Sequence, residues 1–490
     1  MLFQSLFTHA QQNPQDVAII DDKGQYTYQQ LAAAAAGLGM YLSVQTDRPS
    51  VGLLLPPSAG FAASFYGTLL SGKSVVPINY LLGDREIAHV VSDSGIDTVI
   101  TIPQLAPRVA NADLKIVDLT QLPQTPPAAL KPHFPSPTPD DTAVLLYTSG
   151  TSGLPKGVIL TYGNLQSDVD ASIEAADLQH RHKFLGVIPL FHAFGLTAGL
   201  LAPVQLGSTV VFLSRFSPVA MVNAIRDHGL SIVFGVPAMY GAVAHLKNAA
   251  PDDFKSIYAM LSGGDALPAT LREGFKARFG VPLYEGYGLS ETSPVVAINT
   301  PQVNRAGSVG KLVPGAQAKI IDDNGKPLGP NQEGEVWLKG PMVMKGYHNL
   351  PNETAASLTA DGFFKTGDLG KLDDDGFLYI TGRKKDLIIV SGEKAVPREI
   401  EETLARHPAV AEAAVVGKKD SSRGEVVVAF CTLKPGQSAT ADQLRTFARD
   451  QNLATFKVPR EVYIVEELPR SPTGKVLKRV LAEKANAPAA

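Results

Sequence analysis

Apolar positions along the chain follow two alternating periods, and the alternation predicts an α/β fold. Short apolar runs suited to buried strands stand at Val51 to Leu55, Ser74 to Ile78 and Thr98 to Ile102. Between and around them, Leu31 to Leu42, Phe61 to Leu70 and Glu86 to Asp93 carry helical spacing. Strands that alternate with helices imply parallel pairing with right-handed crossovers. A proline-rich connector, Gln121 to Pro139, leads to an apolar strand at Ala143 to Leu146 and a second at Val158 to Leu160. Leu165, Val169 and Ile173 then recur at helical spacing, and the alternation resumes at Thr209 to Leu213, Val219 to Asp227 and Ile232 to Gly235.

The stretch Phe184 to Leu213 has no Asp, Glu, Lys or Arg, yet Pro189, Pro203 and several glycines divide it. A strand, a loop, a buried helix and a second strand fit it better than a membrane span. Beyond Glu291 the pattern changes to hairpins. Asp323-Asn324-Gly325 lies between two strand-like runs, and Asp375-Gly376 lies between two more. These predict a small β-barrel-like subdomain on the α/β core. A last change follows Gly382 to Asp386: a helix from Pro397, strands at Val410 to Val416 and Val426 to Leu433, a helix at Asp442 to Asp450 and a strand at Val462 to Val465 predict an α+β tail.

Composition narrows the class. The 490 residues, 44% hydrophobic and 19% charged, suffice for two or more domains. A formal net charge of −3 gives no broad footprint for nucleic acid. The one cysteine, Cys431, sits in an apolar run and reads as a buried thiol in a reducing compartment. The N-terminal residues carry no basic, apolar and small-residue sequence of an export signal, so a cytoplasmic location is expected.

The densest candidate chemistry lies in Tyr147-Thr148-Ser149-Gly150-Thr151-Ser152-Gly153-Leu154-Pro155-Lys156-Gly157. Glycines let backbone N–H groups approach phosphate oxygens, the hydroxyls add donors, and Lys156 adds charge. It is no Walker A loop, because Pro155 precedes Lys156 and Gly157 follows it. Gly286-Tyr287-Gly288-Leu289-Ser290-Glu291 likewise lacks the third glycine of a dinucleotide fingerprint.

Taken in order, that loop, Gly263-Gly264-Asp265, Tyr287 to Glu291, Thr366-Gly367-Asp368, Gly382-Arg383 and Ser471-Pro472-Thr473-Gly474-Lys475 resemble the adenylate-forming superfamily, in its acyl-CoA synthetase branch. The resemblance covers nearly the whole chain. It implies a two-step reaction, in which a carboxylate attacks the α-phosphate of ATP and a thiol then displaces AMP. It also implies an N-terminal domain over residues 1–384 and a small mobile C-terminal domain over residues 385–490, with Lys385 at the hinge.

By the same resemblance, Thr148, Ser149, Gly150, Thr151, Ser152, Gly153 and Lys156 hold phosphates, and Glu291 binds Mg²⁺. Tyr287 stacks on adenine between Gly286 and Gly288, Gly264 and Asp265 line its other side, and Ser290 stands where the family commonly has Thr. Asp368 binds the ribose, Arg383 approaches ribose or phosphate, and Lys475 bridges carboxylate and α-phosphate. Thr148, His192, Glu291 and Lys475 form the implied catalytic set. The acyl pocket draws on His192, Phe194, Phe234, Tyr240, Gly264 and Gly288, and Ile389 and Gly392 line the thiol's tunnel. The expected substrates are a medium- or long-chain fatty acid, ATP and CoA. An acyl carrier protein as acceptor and an aromatic acid as substrate stay open as alternatives, as do peripheral membrane contact and a monomer or homodimer. A relative that binds nucleotide or acyl group without catalysis is the alternative from another class.

Overall fold

The computed structural model describes residues 2–110, 113–121, 135–148, 154–451, 453–470 and 476–487. Two large sheets form the N-terminal part. In the seven-stranded sheet, Thr142–Thr148, Ser74–Pro77, Ser50–Leu54, Thr98–Thr101 and Lys115–Asp118 run parallel, and Lys156–Thr161 and Gly346–Tyr347 add antiparallel at one edge. In the nine-stranded sheet, Leu283–Gly288, Ala259–Ser262, Ile232–Gly235, Lys183–Gly186, Thr209–Phe212 and Val17–Asp21 are parallel neighbours in that order. The expected α/β alternation is therefore present, and Lys183–Gly186, Ala202–Leu206 and Thr209–Phe212 divide the uncharged stretch as expected. No helix among the described residues is long and apolar enough to cross a membrane.

Helices Tyr28–Gln45 and Ala59–Leu70 pack unusually close. A Cβ on Gly67 would stand 2.6 Å from the Cβ of Leu38, and one on Gly39 would stand 2.9 Å from the Cβ of Leu70. Glycine is what allows this contact. The first helix starts on a capping box in which Thr27 and Gln30 exchange side-chain and backbone hydrogen bonds. Both sheets share one hydrophobic core, with Phe61, Phe65, Leu146, Phe184 and Tyr240 all fully buried in it.

A four-stranded antiparallel sheet, ordered Gln317–Ile321, Gly334–Lys339, Phe364–Leu372, Leu378–Arg383, forms the β-rich subdomain. Its core, with Val336, Leu338 and Leu378, is shared with Val296 and Ala297 of the main domain. From Ile388 the chain enters a separate five-stranded sheet with its own core around Ile400, Val415, Cys431 and Leu444. Cys431 is buried there as a free thiol, and burial pushes its pKa up to about 12.

Candidate active site

The parallel strands deliver chemistry at their carboxyl ends, where open α/β sheets place ligand sites. Gly263, Gly264 and Asp265 follow Ala259–Ser262, and the turn Ser290–Thr292 follows Leu283–Gly288. Gly288 is required sterically, because a Cβ there would lie 1.8 Å from the carbonyl oxygen of Pro294. Gly264 adopts a φ of +81°, in the left-handed region that favours glycine.

The two ends of the expected phosphate loop, Thr148 and Lys156, pair across antiparallel strands. Ser149, Gly150, Thr151, Ser152 and Gly153 lie outside the described residues, as does Lys475. Lys156 forms an ion pair with Glu353, and its ammonium stands 5.9 Å from the centroid of the Tyr347 ring. Gly346–Tyr347 pairs with the strand that carries Lys156, which places Tyr347 opposite Val158. The Tyr347 hydroxyl then donates to Glu291 Oε1 at 2.9 Å. One sheet edge thus joins the loop lysine to the expected metal ligand. Burial raises the pKa of Glu291 above its ordinary value, and the Tyr347 hydrogen bond partly offsets this.

Asp368 and Arg383 are cross-strand partners in the β-rich sheet. Asp368 is 2% exposed; its Oδ1 pairs with Arg383 Nε at 2.9 Å, and its Oδ2 accepts the Tyr287 hydroxyl at 2.6 Å. Both carboxylate oxygens therefore already have protein donors, which a sugar at the expected ribose position would have to share or displace. Asp265 is exposed, and its charge lies close enough to Arg383 to help raise the guanidinium's pKa, after Asp368, Asp386 and Tyr287. Gly286, Tyr287, Gly288, Asp368 and Arg383 thus come together, with Ser290 one residue from Glu291.

On the other flank, His192 opens the short helix Ala193–Leu196. Its Nε2 is buried without a hydrogen-bond partner, and burial lowers its pKa to about 4, so the ring is neutral at physiological pH. A buried nitrogen lacking a partner fits a ligand's polar group. Phe194 packs edge-on to Phe234 at 5.7 Å, and a Cβ on Gly263 would stand 3.3 Å from the Phe194 ring. The aromatic flank therefore abuts the Gly263 to Asp265 loop. Tyr240 departs from the expectation. It is fully buried, donates its hydroxyl to Leu261 O at 2.7 Å and packs edge-on to Phe275. It touches no water-sized space, so it is a core residue rather than a pocket wall.

Lys385 is exposed in the 3-10 turn Lys384–Asp386, between the β-rich sheet and the C-terminal sheet. Ile389 and Gly392 line a groove of about 700 Å³ together with Lys419, Arg423 and Glu425, and all of its described lining residues belong to the C-terminal part. Neither Asp368 nor Glu291 is among the described residues that line this groove. Tyr347 and Glu353 were not among the expected site residues. Pro351 followed by Glu353 signals a helix start in the sequence, but their partners lie 56 and 197 residues away.

The AMP-binding enzyme family matches residues 6–348, and the AMP-binding enzyme C-terminal domain matches residues 399–475. The chain belongs to the AMP-binding enzyme family. This AMP-binding enzyme is 36% identical over 482 residues to a long-chain-fatty-acid–CoA ligase of Bacillus subtilis, covering 89% of this chain and 85% of the relative. It is also 36% identical over 467 residues to a sulfoacetate–CoA ligase of Cupriavidus necator, covering 92% and 89%. Its structure aligns with o-succinylbenzoate CoA synthetase from Bacillus subtilis, in complex with ATP and magnesium ion, at a TM-score of 0.87 and 32% identity over 97% of this chain and 98% of that one. Relatives with such different acids establish an AMP-forming acid–CoA ligase as the class of enzyme. Among the described residues no three His, Cys, Asp or Glu side chains converge. A single buried carboxylate such as Glu291 has the chemistry expected of a Mg²⁺ ligand, because Mg²⁺ takes one or two carboxylates and fills its shell from phosphates and water.

Proposed function

We propose that this enzyme activates a medium- or long-chain fatty acid as acyl-AMP and transfers the acyl group to CoA, with release of AMP and pyrophosphate. The observation that carries the choice of acid is the apolar flank, where Phe194 and Phe234 meet beside a neutral His192. An apolar wall favours a hydrocarbon tail, and a neutral imidazole can hydrogen-bond the carboxylate without adding charge. Thr148 to Lys156 holds the β- and γ-phosphates, and Mg²⁺ on Glu291 supplies charge neutralisation there. Asp368 and Arg383 hold the ribose side, Lys475 bridges carboxylate and α-phosphate, and Ile389 and Gly392 admit the thiol after rotation about Lys385.

Pyrophosphate exchange across a panel of acids tests the substrate. Exchange with fatty acids supports it; exchange only with aromatic or dianionic acids overturns it. Comparing CoA with a carrier protein decides the acceptor, and product on the carrier alone rejects CoA. Lys475→Ala is expected to abolish adenylation while sparing thioester formation from supplied acyl-AMP, and equal loss of both rejects the rotation.

A further inference from the structure

Arg398 stands in the first turn of helix Pro397–Ala405, at the start of the C-terminal domain, yet its guanidinium reaches outside that domain. Its Nη1 donates to the carbonyl of Ile380 in the β-rich sheet at 2.5 Å, and its Nη2 lies 4.0 Å from Glu285 Oε1 in the nucleotide-side strand. Only Nε is used within its own helix, donating to Glu402 at 2.8 Å. Glu285 is 5% exposed, and its Oε1 also accepts the backbone N–H of Leu267 at 3.1 Å. One carboxylate therefore ties the Gly263 to Leu267 loop to the strand that carries Tyr287, and Arg398 adds the C-terminal domain to the same point.

A buried carboxylate with one backbone donor is costly unless a cation accompanies it. Among the described residues a further ion pair between the two parts, Lys394 with Asp323, has partners 51% and 68% exposed, and such pairs contribute little. In the same arrangement Ile389 and Gly392 face a groove whose described lining residues all belong to the C-terminal domain. The arrangement that pairs Arg398 with Glu285 is thus the one that engages the nucleotide loop and leaves the acceptor segment apart.

We propose that Arg398 and Glu285 are positioning residues that latch the C-terminal domain against the nucleotide loop for adenylate formation and separate before thiol transfer. This rests on the two-step reading with domain rotation. The latch acts through domain placement and touches no reacting atom.

The test compares Arg398→Ala, Arg398→Lys and Glu285→Gln in the full-length enzyme. Arg398→Ala is expected to lower the single-turnover rate of acid-dependent pyrophosphate release, measured without thiol, roughly five- to tenfold. Thioester formation from synthetic acyl-adenylate should stay close to the unaltered enzyme's rate, Arg398→Lys should recover most of the loss, and Glu285→Gln should follow Arg398→Ala. Equal losses in both steps, or unchanged adenylation, overturn the latch. A second readout needs no acid: dyes on cysteines introduced at exposed Val44 and Ile464 report the interdomain distance with Mg·ATP, because native Cys431 is buried. Arg398→Ala should broaden that distribution and Arg398→Lys should narrow it again; identical distributions overturn the proposal. If no acid supports turnover in the unaltered enzyme, the ligase reading fails, while the distance measurement still decides the latch.

Discussion

The Tyr347 hydroxyl donates to the Glu291 carboxylate at 2.9 Å, and the same tyrosine lies under the Lys156 ammonium. A single side chain thus links the carboxylate proposed to bind Mg²⁺ and the lysine of the proposed phosphate loop. Burial raises the pKa of Glu291 above its ordinary carboxylate value, so its anion is harder to keep in the folded protein than in the unfolded chain, and stability is lost as pH rises toward the raised value. Bound Mg²⁺ offsets this cost, so Mg·ATP affinity should weaken as pH falls. Tyr347→Phe removes a donor that lowers the pKa, and the weakening should begin at higher pH. Calorimetric titration of Mg·ATP between about pH 8 and about pH 5.5 checks it, and superimposable profiles for the two proteins would reject the role.

Lys156 and Glu353 make a second prediction. Lys156→Met deletes the loop's charge and should raise the KM for ATP roughly tenfold or more, the scale of a lost charge-assisted hydrogen bond. Glu353→Gln keeps the charge and frees the ammonium, so its effect on KM should be smaller. Steady-state kinetics at saturating acid and thiol separate the two, and a larger effect of Glu353→Gln would contradict the order.

The depressed pKa of His192, about 4, sets a pH dependence of stability. Its folded pKa lies below the unfolded value, so the contribution is full above the ordinary histidine pKa and is lost as pH falls from there toward about 4. Allowing for the ring's partial exposure, the loss is on the order of 2 kcal/mol. His192→Gln should flatten that part of the curve in urea unfolding. The same variant should raise the KM for the acid more than that for ATP; the reverse ranking would place His192 away from the acid.

Tyr240→Phe tests the distinction between core and pocket. It leaves the carbonyl of Leu261 without its 2.7 Å partner and should cost about 1 kcal/mol or more of stability. The acid profile should not change. A shifted preference among acids with intact stability would return Tyr240 to the pocket.

The sequence by itself determined the order of elements, the strand ahead of the phosphate loop and the family to which the motifs belong. Those features are local: period-two and helical spacing, turn residues and short motifs survive without knowledge of what they pack against. The juxtaposition of Asp368 with Arg383 was also nearly legible, because hairpin strands bring near neighbours together. The tertiary structure alone decided that Tyr347 serves Glu291, that Glu353 holds Lys156, that Arg398 reaches Glu285 and that Tyr240 belongs to the core. The first three depend on which elements become neighbours across 56 to 197 residues, and the last on which face of its helix packs inward. Apolar and aromatic residues look alike in a sequence whether they face a pocket or a packed interior.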